Sequence, residues 1–370
     1  MSTLGSVVEN SNVVVCCGSG GVGKTTTAAV IAMRAAEAGR RAVVVTIDPA
    51  KRLADALGLE GLTNTPSHIE GTWAGGGEMW ALMLDTKSTF DGLVRRYAAD
   101  PDQAERILAN SFYRNISGAL SGTQEYMASE KLYELAGEGD YDLVVVDTPP
   151  TRNALDFLEA PQRLAHFLDH RLYKVLMAPT RGIVRAVNVA AQALVRAMSK
   201  VVGAEVVGDA MAFFAAFEGM EQGFKERAAA VDELLSHDDT AFVLVASPKA
   251  DTVAEAGYFT ERLHETGIAV RALIVNRMQP DFDGHGGLAS HPEALRERAA
   301  SLAGTALADH YTCLADARAL ARGESANLEG LTARVEPAPV VRVPILPFEV
   351  SDLESLRALG EVMFEGAPAE

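Results

Sequence analysis

The segment that most constrains the fold of this chain runs from Gly18 to Thr25 and reads G-S-G-G-V-G-K-T. It satisfies the pattern G-x-x-x-x-G-K-[ST], which is typical of a loop that wraps nucleotide phosphates. An apolar run, Val13–Cys17, precedes it, and an alanine-rich stretch of helical character, Thr25–Ala38, follows it. The alternative is a glycine-rich turn that matches by chance, but such a turn needs no strand before it and no helix after it. We call Gly18–Thr25 the phosphate loop, and it predicts a nucleotide-binding site.

Each position of the phosphate loop has an expected contact. Its glycines let the backbone curl so that the N–H groups point inward, next to the positive end of the following helix. We expect Lys24 to lie on the β- and γ-phosphates and to act in catalysis, and the Thr25 hydroxyl to bind Mg²⁺. The nucleotide-binding residues predicted here are Gly20, Gly21, Val22, Gly23, Lys24, Thr25 and Thr26.

Strand-like apolar runs alternate with helical stretches along the chain. Most are continuous Val/Ile/Leu segments, as expected of parallel strands that are buried on both faces. The predicted strands are Val13–Cys17, Ala42–Ile47, Met79–Leu84, Leu143–Val146, Phe242–Val245, Ala272–Val275 and Val340–Ile345. This alternation predicts an α/β fold: a doubly wound, mostly parallel sheet with helices on both faces and ligands at the carboxyl ends of the strands.

Two aspartates stand at the ends of predicted strands. Asp48 can orient the water that attacks the γ-phosphate, and we also count it among the Mg²⁺ ligands. The alternative for Asp48 is an N-cap of a helix that begins near Ala50. Asp147 follows the run Leu143–Val146, a usual way to place a carboxylate beside the Mg²⁺ of such a site. Apolar runs that end in aspartate are common, so Asp147 is a specific prediction only in combination with Lys24 and Thr25 of the phosphate loop.

The strand pattern stops twice, from about residue 88 to 139 and from about 162 to 236. Both stretches have helical character and predict a helical subdomain inserted into a single domain that spans residues 1–370. Four apolar side chains of the later stretch are spaced as one helix face. They are Phe213, Phe217, Met220 and Phe224. Such a stripe packs on the protein's own core or, as the alternative, forms an adaptable groove for an apolar client.

Residues after the last strands predict a pocket for the base. The amide of Asn276, at the end of a predicted strand, can make paired hydrogen bonds to an adenine edge, and a turn asparagine is the alternative. We expect Arg277, next in the chain, to share this contact. Pro347 and Phe348 form either one wall of the pocket or a plain strand-to-helix connection. Further on, Ser351-x-x-Glu354 predicts a capping box at the start of the last helix.

Composition restricts the partners. The net charge of −17 argues against a nucleic-acid surface, because binding to nucleic-acid phosphates needs a basic face. No apolar run approaches the ~20 residues that cross a bilayer. The first residues, Met1–Asn12, lack a signal pattern, so we expect a cytoplasmic protein without a transmembrane segment. Three cysteines without a C-x-x-C, and histidines without ligand spacing, predict no zinc, so the expected metal is nucleotide-bound Mg²⁺.

Taken together, these motifs resemble those of the ArsA/GET-type ATPases, whose loop reads G-K-G-G-V-G-K-T. The family's first switch, T-D-P-A, is similar to Ile47–Ala50, and its second, D-T-A-P-T-G-H-T-L-R-F-L, to Asp147–Leu158. Asn276 and the loop Pro344–Glu349 resemble its adenine-contacting elements. The resemblance covers nearly the whole chain and extends in particular to ArsA-like ATPases found in pairs in actinobacteria. It implies ATP-driven opening and closing of a dimer with the nucleotide at the interface, coupled in family members to oxyanion efflux or to delivery of hydrophobic membrane proteins.

Three features depart from the family pattern. Ser19 stands where the family has a lysine that reaches the partner's phosphates, and a hydroxyl cannot neutralise charge there. As a hypothesis we favour a partner subunit that supplies this lysine; the alternatives are compensation by Lys51, Arg52 or Arg152, or slow turnover. The C-x-x-C of some members and clustered thiols for arsenite are missing, which disfavours a metalloid pump. Arg152 and Asn153 replace Gly-His in the second switch.

The sequence therefore predicts an ATPase that binds ATP or ADP with Mg²⁺ and acts as a dimeric switch. Its expected partner is a second copy or a paralogue that carries the missing lysine, with a hydrophobic protein as a candidate client and no nucleic acid. One alternative is a regulatory pseudo-ATPase that scaffolds an active paralogue, which Ser19 favours and Asp48 and Asp147 disfavour. Another is a positioning ATPase of the ParA/MinD type, which the short acidic tail Glu361–Glu370 disfavours.

Overall fold

A mostly parallel, eight-stranded sheet forms the centre of the computed structural model. The structure describes residues 3–48, 50–116, 123–137, 139–149, 151–169, 203–280, 282 and 291–365. The strands are β1 (Val13–Gly18), β2 (Arg41–Thr46), β3 (Ser67–Ile69), β4 (Glu78–Met83), β5 (Leu143–Asp147), β6 (Thr240–Ala246), β7 (Val270–Met278) and β8 (Val340–Pro344). Their order across the sheet is β3-β4-β2-β5-β1-β6-β7-β8. Strand β3 runs antiparallel to β4, and the other neighbouring pairs are parallel.

The apolar runs explain why these strands lie in the middle of the molecule. Strands β1, β5 and β6 are buried at every residue. Along β1, Val13, Val15 and Cys17 pack in the core on one face of the sheet. Val14 and Cys16 pack in the core on the other face. Full burial of a valine side chain contributes about 1.5–3 kcal/mol, so a continuous apolar strand is most stable with helices on both sides. The predicted doubly wound α/β fold is confirmed.

Helices cover both faces of the sheet. They are α1 (Leu4–Glu9), α2 (Lys24–Glu37), α3 (Arg52–Ala56), α4 (Thr86–Tyr97), α5 (Pro101–Leu108), α6 (Ser111–Ile116), α7 (Thr123–Gly137), α8 (Thr151–Asp169), α9 (Ala204–Ala216), α10 (Glu221–Ser236), α11 (Ala250–Glu265), α12 (Pro292–Ser301), α13 (Ala306–Val335) and α14 (Leu353–Glu365). Helices α2 and α14 pack together on one face, and α7, α8, α10 and α11 cover the other. Among the described helices, none combines the length and apolar character that a bilayer span requires.

All seven predicted strands are present, with ends that differ by a few residues. The eighth strand, β3, lies at the edge of the sheet and was not predicted. It has three residues, of which only Ile69 is buried, so it gives no recognisable apolar run. The predicted helix Thr25–Ala38 is present as α2 and begins one residue earlier, at Lys24.

The prediction that four apolar side chains share one helix face is wrong. Helix α9 ends at Ala216 and α10 begins at Glu221, because Gly219 turns the chain with a φ of 90°. The four residues therefore come from two helices and their connection, yet all are buried in one core, as the core-packing interpretation predicts. Residues 170–202, with Met177 and Met198 of the same predicted helical stretch, lie outside the described residues. The division into a domain and an inserted subdomain stays a prediction.

The predicted capping box at the last helix is also wrong, by one residue. Asp352, not Ser351, is the cap: its Oδ1 accepts a hydrogen bond from the backbone N–H of Ser355 over 2.8 Å. In return, the Ser355 hydroxyl accepts from the backbone N–H of Asp352 over 3.2 Å. Aspartate and serine are equally good N-caps, so spacing alone does not choose between neighbours.

Candidate functional site

The phosphate loop joins the end of β1 to the start of α2, at the carboxyl edge of the sheet. Two of its glycines lie close to β6 and β7: Gly18 approaches the backbone of β6, and Gly23 approaches a side chain of β7. Gly18 has a φ of 151°, and a Cβ there would lie 2.0 Å from the carbonyl oxygen of Val245. Gly23 has a φ of 101°, and a Cβ there would lie 2.3 Å from Nδ2 of Asn276. Strands β6 and β7 therefore restrict the shape of the loop.

Lys24 is buried in the first turn of α2, with 7% of the residue exposed. Its Nζ donates a hydrogen bond to the carbonyl oxygen of Ser19 over 2.8 Å. Burial lowers the pKa of Lys24, and the negative charge of Asp147 opposes that shift. An ammonium group has three N–H donors, and in the described chain one of them is used. Lys24 can therefore bind an anion that enters the loop.

Asp147, at the end of β5, is joined to the start of α2 and the end of β2. Its Oδ2 accepts hydrogen bonds from Oγ1 of Thr25 over 2.7 Å and from Oγ1 of Thr46 over 2.8 Å. Its Oδ1 is buried and has no hydrogen-bond partner among the described residues. Burial raises the pKa of Asp147 above its ordinary value, and the hydrogen bonds from the two hydroxyls oppose this rise only in part. A buried carboxylate oxygen without a donor fits a cation, or a water bound to a cation, at this place.

Asp48, predicted to orient water and to bind Mg²⁺, lies two residues beyond β2. Its Oδ1 accepts from the backbone N–H of Ala50 over 2.9 Å, and its Oδ2 lies 3.1 Å from Nη1 of Arg52. Helix α3 begins at Arg52 and its N-cap, Lys51, makes no side-chain cap. Asp48 thus closes a short turn to Ala50 and does not cap the helix.

Asn276 and Arg277, predicted at the base, contact the phosphate loop. Nδ2 of Asn276 donates to the carbonyl oxygen of Val22 over 2.9 Å, and its Oδ1 accepts from the backbone N–H of Arg277 over 2.9 Å. Arg277 has a left-handed φ of 62°, and its Nη1 donates to the carbonyl oxygen of Gly21 over 3.0 Å. Both residues hold the loop from β7, which is separated from β1 by β6, and their contact with adenine stays a prediction.

The remaining predicted residues differ in exposure. The loop residues Gly20 and Gly21 are exposed, Val22 is buried, and Thr26 is half-buried. Pro347 and Phe348 follow β8 and are exposed, Phe348 to 42%. Among the described residues no hydrogen bond or ring contact joins them to the phosphate loop, and the wall of a base pocket stays a prediction.

Two features of the site had no signal in the sequence. Gln124, on α7, donates from Nε2 to the carbonyl oxygen of Ile47 over 3.0 Å, which links a helical insertion to the turn that carries Asp48. Thr46 holds the same oxygen of Asp147 as Thr25 does. Side chains that meet from distant positions leave no local pattern, so neither contact could be found by spacing.

The donors and acceptors fit a magnesium nucleotide. The loop and Lys24 offer N–H donors for phosphate, and Thr25 and Asp147 offer oxygens, the ligand type that Mg²⁺ prefers. Within the described ranges, no three His, Cys, Asp or Glu side chains come together as a metal-binding group. Mg²⁺ at nucleotides is usually held by one or two carboxylates, waters and the phosphates, so it does not need such a group.

Comparison with known proteins gives a family match over most of the chain. The model of the family described as "Anion-transporting ATPase" matches residues 11–292. An "ATPase ASNA1 homolog" of Trypanosoma cruzi is 24% identical over 248 residues, which cover 65% of this chain and 63% of the relative. "ATPase GET3A" of Arabidopsis thaliana is 21% identical over 328 residues, which cover 89% of this chain and 76% of the relative.

A third relative is longer than this chain. The "Arsenical pump-driving ATPase" of Acidiphilium multivorum is 26% identical over 267 residues, which cover 70% of this chain and 38% of the relative. The chain thus spans less than two thirds of the length of this relative and of the trypanosomal one.

Proposed function

The chain belongs to the anion-transporting ATPase family, and we propose that it binds ATP with Mg²⁺ and hydrolyses the ATP to ADP and inorganic phosphate. The observation that carries this proposal is the meeting of Lys24, Thr25 and Asp147 beneath one glycine-rich loop. Two buried charged groups that each keep hydrogen-bonding capacity are costly unless a ligand uses them. The three relatives described above all carry the word ATPase in their names, which supports the same reaction.

Each residue has a role in this proposal. The loop amides and Lys24 bind the phosphates, and Thr25 and Asp147 hold Mg²⁺ with its waters. Bound Mg²⁺ supplies positive charge that neutralises the phosphate oxygens. Asp48 accepts a hydrogen bond from the attacking water and orients it. One oxygen of Asp48 accepts from a backbone N–H and the other lies beside Arg52, and each oxygen keeps a second lone pair that can accept from the water.

The helical insertions respond to the nucleotide in this proposal. Gln124, on α7, contacts the carbonyl of Ile47 at the end of β2. Further along α7, Glu130 accepts two hydrogen bonds from Nε of Arg227 on α10, over 2.7 and 2.9 Å. Movement of the turn after β2 therefore reaches helices from both insertions, which couples the nucleotide state to a client or partner.

A dimer is part of the same proposal, as the resemblance implies. It consists of two copies of this chain, or of this chain and a paralogue with lysine at the position of Ser19. A second candidate is a regulatory subunit that binds nucleotide without hydrolysing it. This candidate is favoured by Ser19, which is buried and offers no charge, and by the contact of Asp48 with Arg52.

Calorimetry and single-turnover hydrolysis with the purified chain test the proposal. Lys24→Ala is expected to lose ATP affinity, and Asp48→Asn is expected to keep ATP affinity and lose hydrolysis. Lys87→Ala is the matched control, because Lys87 is an exposed lysine paired with Asp91 on α4. ATP that binds the wild-type chain but stays intact, alone and with a paralogue, would support the regulatory subunit. No uptake of a magnesium nucleotide by the folded chain would refute both candidates.

A further inference from the structure

We propose that Arg52 is the cation that this chain itself supplies to the terminal phosphate of ATP: its guanidinium leaves Asp48 and binds that phosphate. The proposal rests on the proposed function, since it concerns the same nucleotide site. It assigns to a residue of this chain the positive charge that Ser19 cannot provide.

Arg52 lies beside the carboxylate that is expected to orient the attacking water. Arg52 is the first residue of α3 and comes four positions after Asp48. Its Nη1 lies 3.1 Å from Oδ2 of Asp48. The side chain of Arg52 is 64% exposed and that of Asp48 is 25% exposed. Ion pairs this exposed contribute little to stability because water screens them. Exchange of the carboxylate for a phosphate of higher charge therefore costs little.

Arg52 adds positive charge at the edge of the sheet that carries the phosphate loop. Lys24 begins the helix that follows β1, and Arg52 begins the helix that follows β2, so both positive charges lie at the carboxyl edge of the sheet. An anion bound by Lys24 therefore lies at the same edge of the sheet as the positive charge of Arg52.

The other described cations near the site are engaged in different contacts. Nζ of Lys51 lies 3.4 Å from the carbonyl oxygen of Glu60, so it is directed elsewhere. Arg277 donates to the carbonyl of Gly21 and is held on the loop backbone. The side chain of Arg152 lies outside the described residues. Among the described cations that surround the loop, Arg52 pairs with the carboxylate expected to manage the attacking water.

The exchange has a consequence for Asp48. When Arg52 binds the terminal phosphate, Oδ2 of Asp48 loses its partner and can accept a hydrogen bond from water. ADP lacks the γ-phosphate, which is the terminal phosphate of ATP, so with ADP the pair between Arg52 and Asp48 stays closed. Arg52 should therefore distinguish the ATP-like state from the ADP state.

Calorimetry with MgADP, and with MgADP plus aluminium fluoride as a mimic of the transferring phosphate, tests this directly. Arg52→Gln is expected to weaken binding of the aluminium fluoride complex by about tenfold or more, since cations that act on this group can contribute ~10³–10⁵ to rate. The affinity of Arg52→Gln for MgADP is expected to stay within about twofold of wild type, because ADP lacks the phosphate that Arg52 contacts. Arg52→Lys is expected to recover part of the loss. Arg271→Gln is the matched control, because Arg271 is an exposed arginine paired with Asp238 over 2.9 Å. It lies at the amino end of β7, and the phosphate loop lies at the carboxyl ends of the strands.

The outcomes separate this proposal from the proposed function. Equal binding of both complexes by wild type and Arg52→Gln would overturn the assignment of Arg52, and so would an equal loss of both. If wild type and Arg52→Gln hydrolyse ATP at the same rate, the assignment of Arg52 is overturned and the ATPase proposal stays intact. The same holds if hydrolysis depends only on a paralogue's lysine. Selective loss of the aluminium fluoride complex in a chain that does not hydrolyse ATP would support Arg52 and refute hydrolysis.

Discussion

The side-chain amide of Asn276 donates a hydrogen bond to the carbonyl oxygen of Val22 over 2.9 Å, so the end of β7 holds the phosphate loop from its side. Asn276 comes 254 positions after Val22 in the chain. This contact means that a residue expected to read the base also determines where the loop amides lie.

Asn276→Ala should weaken nucleotide binding through the loop. We expect a loss of about 1 kcal/mol in the free energy of unfolding, the usual value of one hydrogen bond. We expect a similar loss of affinity for ATP and for GTP, because the loop binds phosphates that both share. Denaturant unfolding and calorimetry with each nucleotide measure these effects. A loss of affinity confined to ATP would instead identify Asn276 as a contact of adenine.

Gly23→Ala should be more damaging than an alanine at an ordinary turn. The new Cβ would lie 2.3 Å from Nδ2 of Asn276, and the φ of 101° is unfavourable for alanine. We expect destabilisation of roughly 2–3 kcal/mol, of which the backbone conformation accounts for about 1–2 kcal/mol. Gly76→Ala is the control, because Gly76 has a φ of 73° and nothing within 4 Å of a Cβ. Equal midpoints of unfolding for the two variants would contradict the close contact.

Asp147→Asn should change how stability depends on pH. Burial raises the pKa of Asp147 in the folded chain above its ordinary value. A group with a raised pKa binds its proton more tightly in the folded state than in the unfolded state. Its contribution to the free energy of unfolding is therefore full below the ordinary pKa and is lost as pH rises through the raised pKa of the folded state. Without nucleotide, the stability of Asp147→Asn relative to wild type should therefore increase with pH across that interval. Thermal unfolding at a series of pH values measures it, and a constant difference would contradict the raised pKa.

Asp147→Asn should also remove the effect of Mg²⁺ on nucleotide binding. ATP affinity measured with EDTA should change by less than about threefold, because Lys24 and the loop amides still bind the phosphates. The increase in affinity that Mg²⁺ gives to wild type should be lost. An unchanged response to Mg²⁺ would remove Asp147 from the metal site.

Glu130→Gln should destabilise the helical insertions. Glu130 is 1% exposed and forms an ion pair with Arg227, whose side chain is 12% exposed. Removal of one partner of a buried pair leaves the other charge uncompensated and costs about 3–5 kcal/mol. Arg296→Gln, which opens the exposed pair with Asp316, should cost about 0–1 kcal/mol. If Glu130→Gln and Arg296→Gln lose the same free energy of unfolding, the pair between Glu130 and Arg227 is exposed to water and the prediction is contradicted.

The sheet could be predicted because each long strand is a continuous apolar run, and that pattern is local. The edge strand Ser67–Ile69 could not, because one buried side chain gives no periodicity. The apolar stripe of the second insertion was spaced for a single helix, and one glycine, Gly219, divided it into two. Its burial could still be predicted, since apolar side chains pack in a core from either helix.

The meeting of candidate site residues could be predicted where each one stands in a recognisable local pattern. The phosphate loop carries its pattern in eight neighbouring residues, and the structure brings Lys24, Thr25 and Asp147 together at the predicted edge. Contacts between distant positions, such as Gln124 with Ile47, were not predictable, because each residue is ordinary in its own segment. The roles of Asp48, Asn276 and Phe348 stay predictions.

The burial of the first strand has a practical outcome for labelling. Cys16 and Cys17 are fully buried in β1, and burial raises the pKa of both thiols, so neither forms the reactive thiolate readily. Cys313 is exposed on α13. A fluorescent maleimide should therefore attach at one position of the folded chain, and its emission can report on conformation without disturbing the strand that carries the loop.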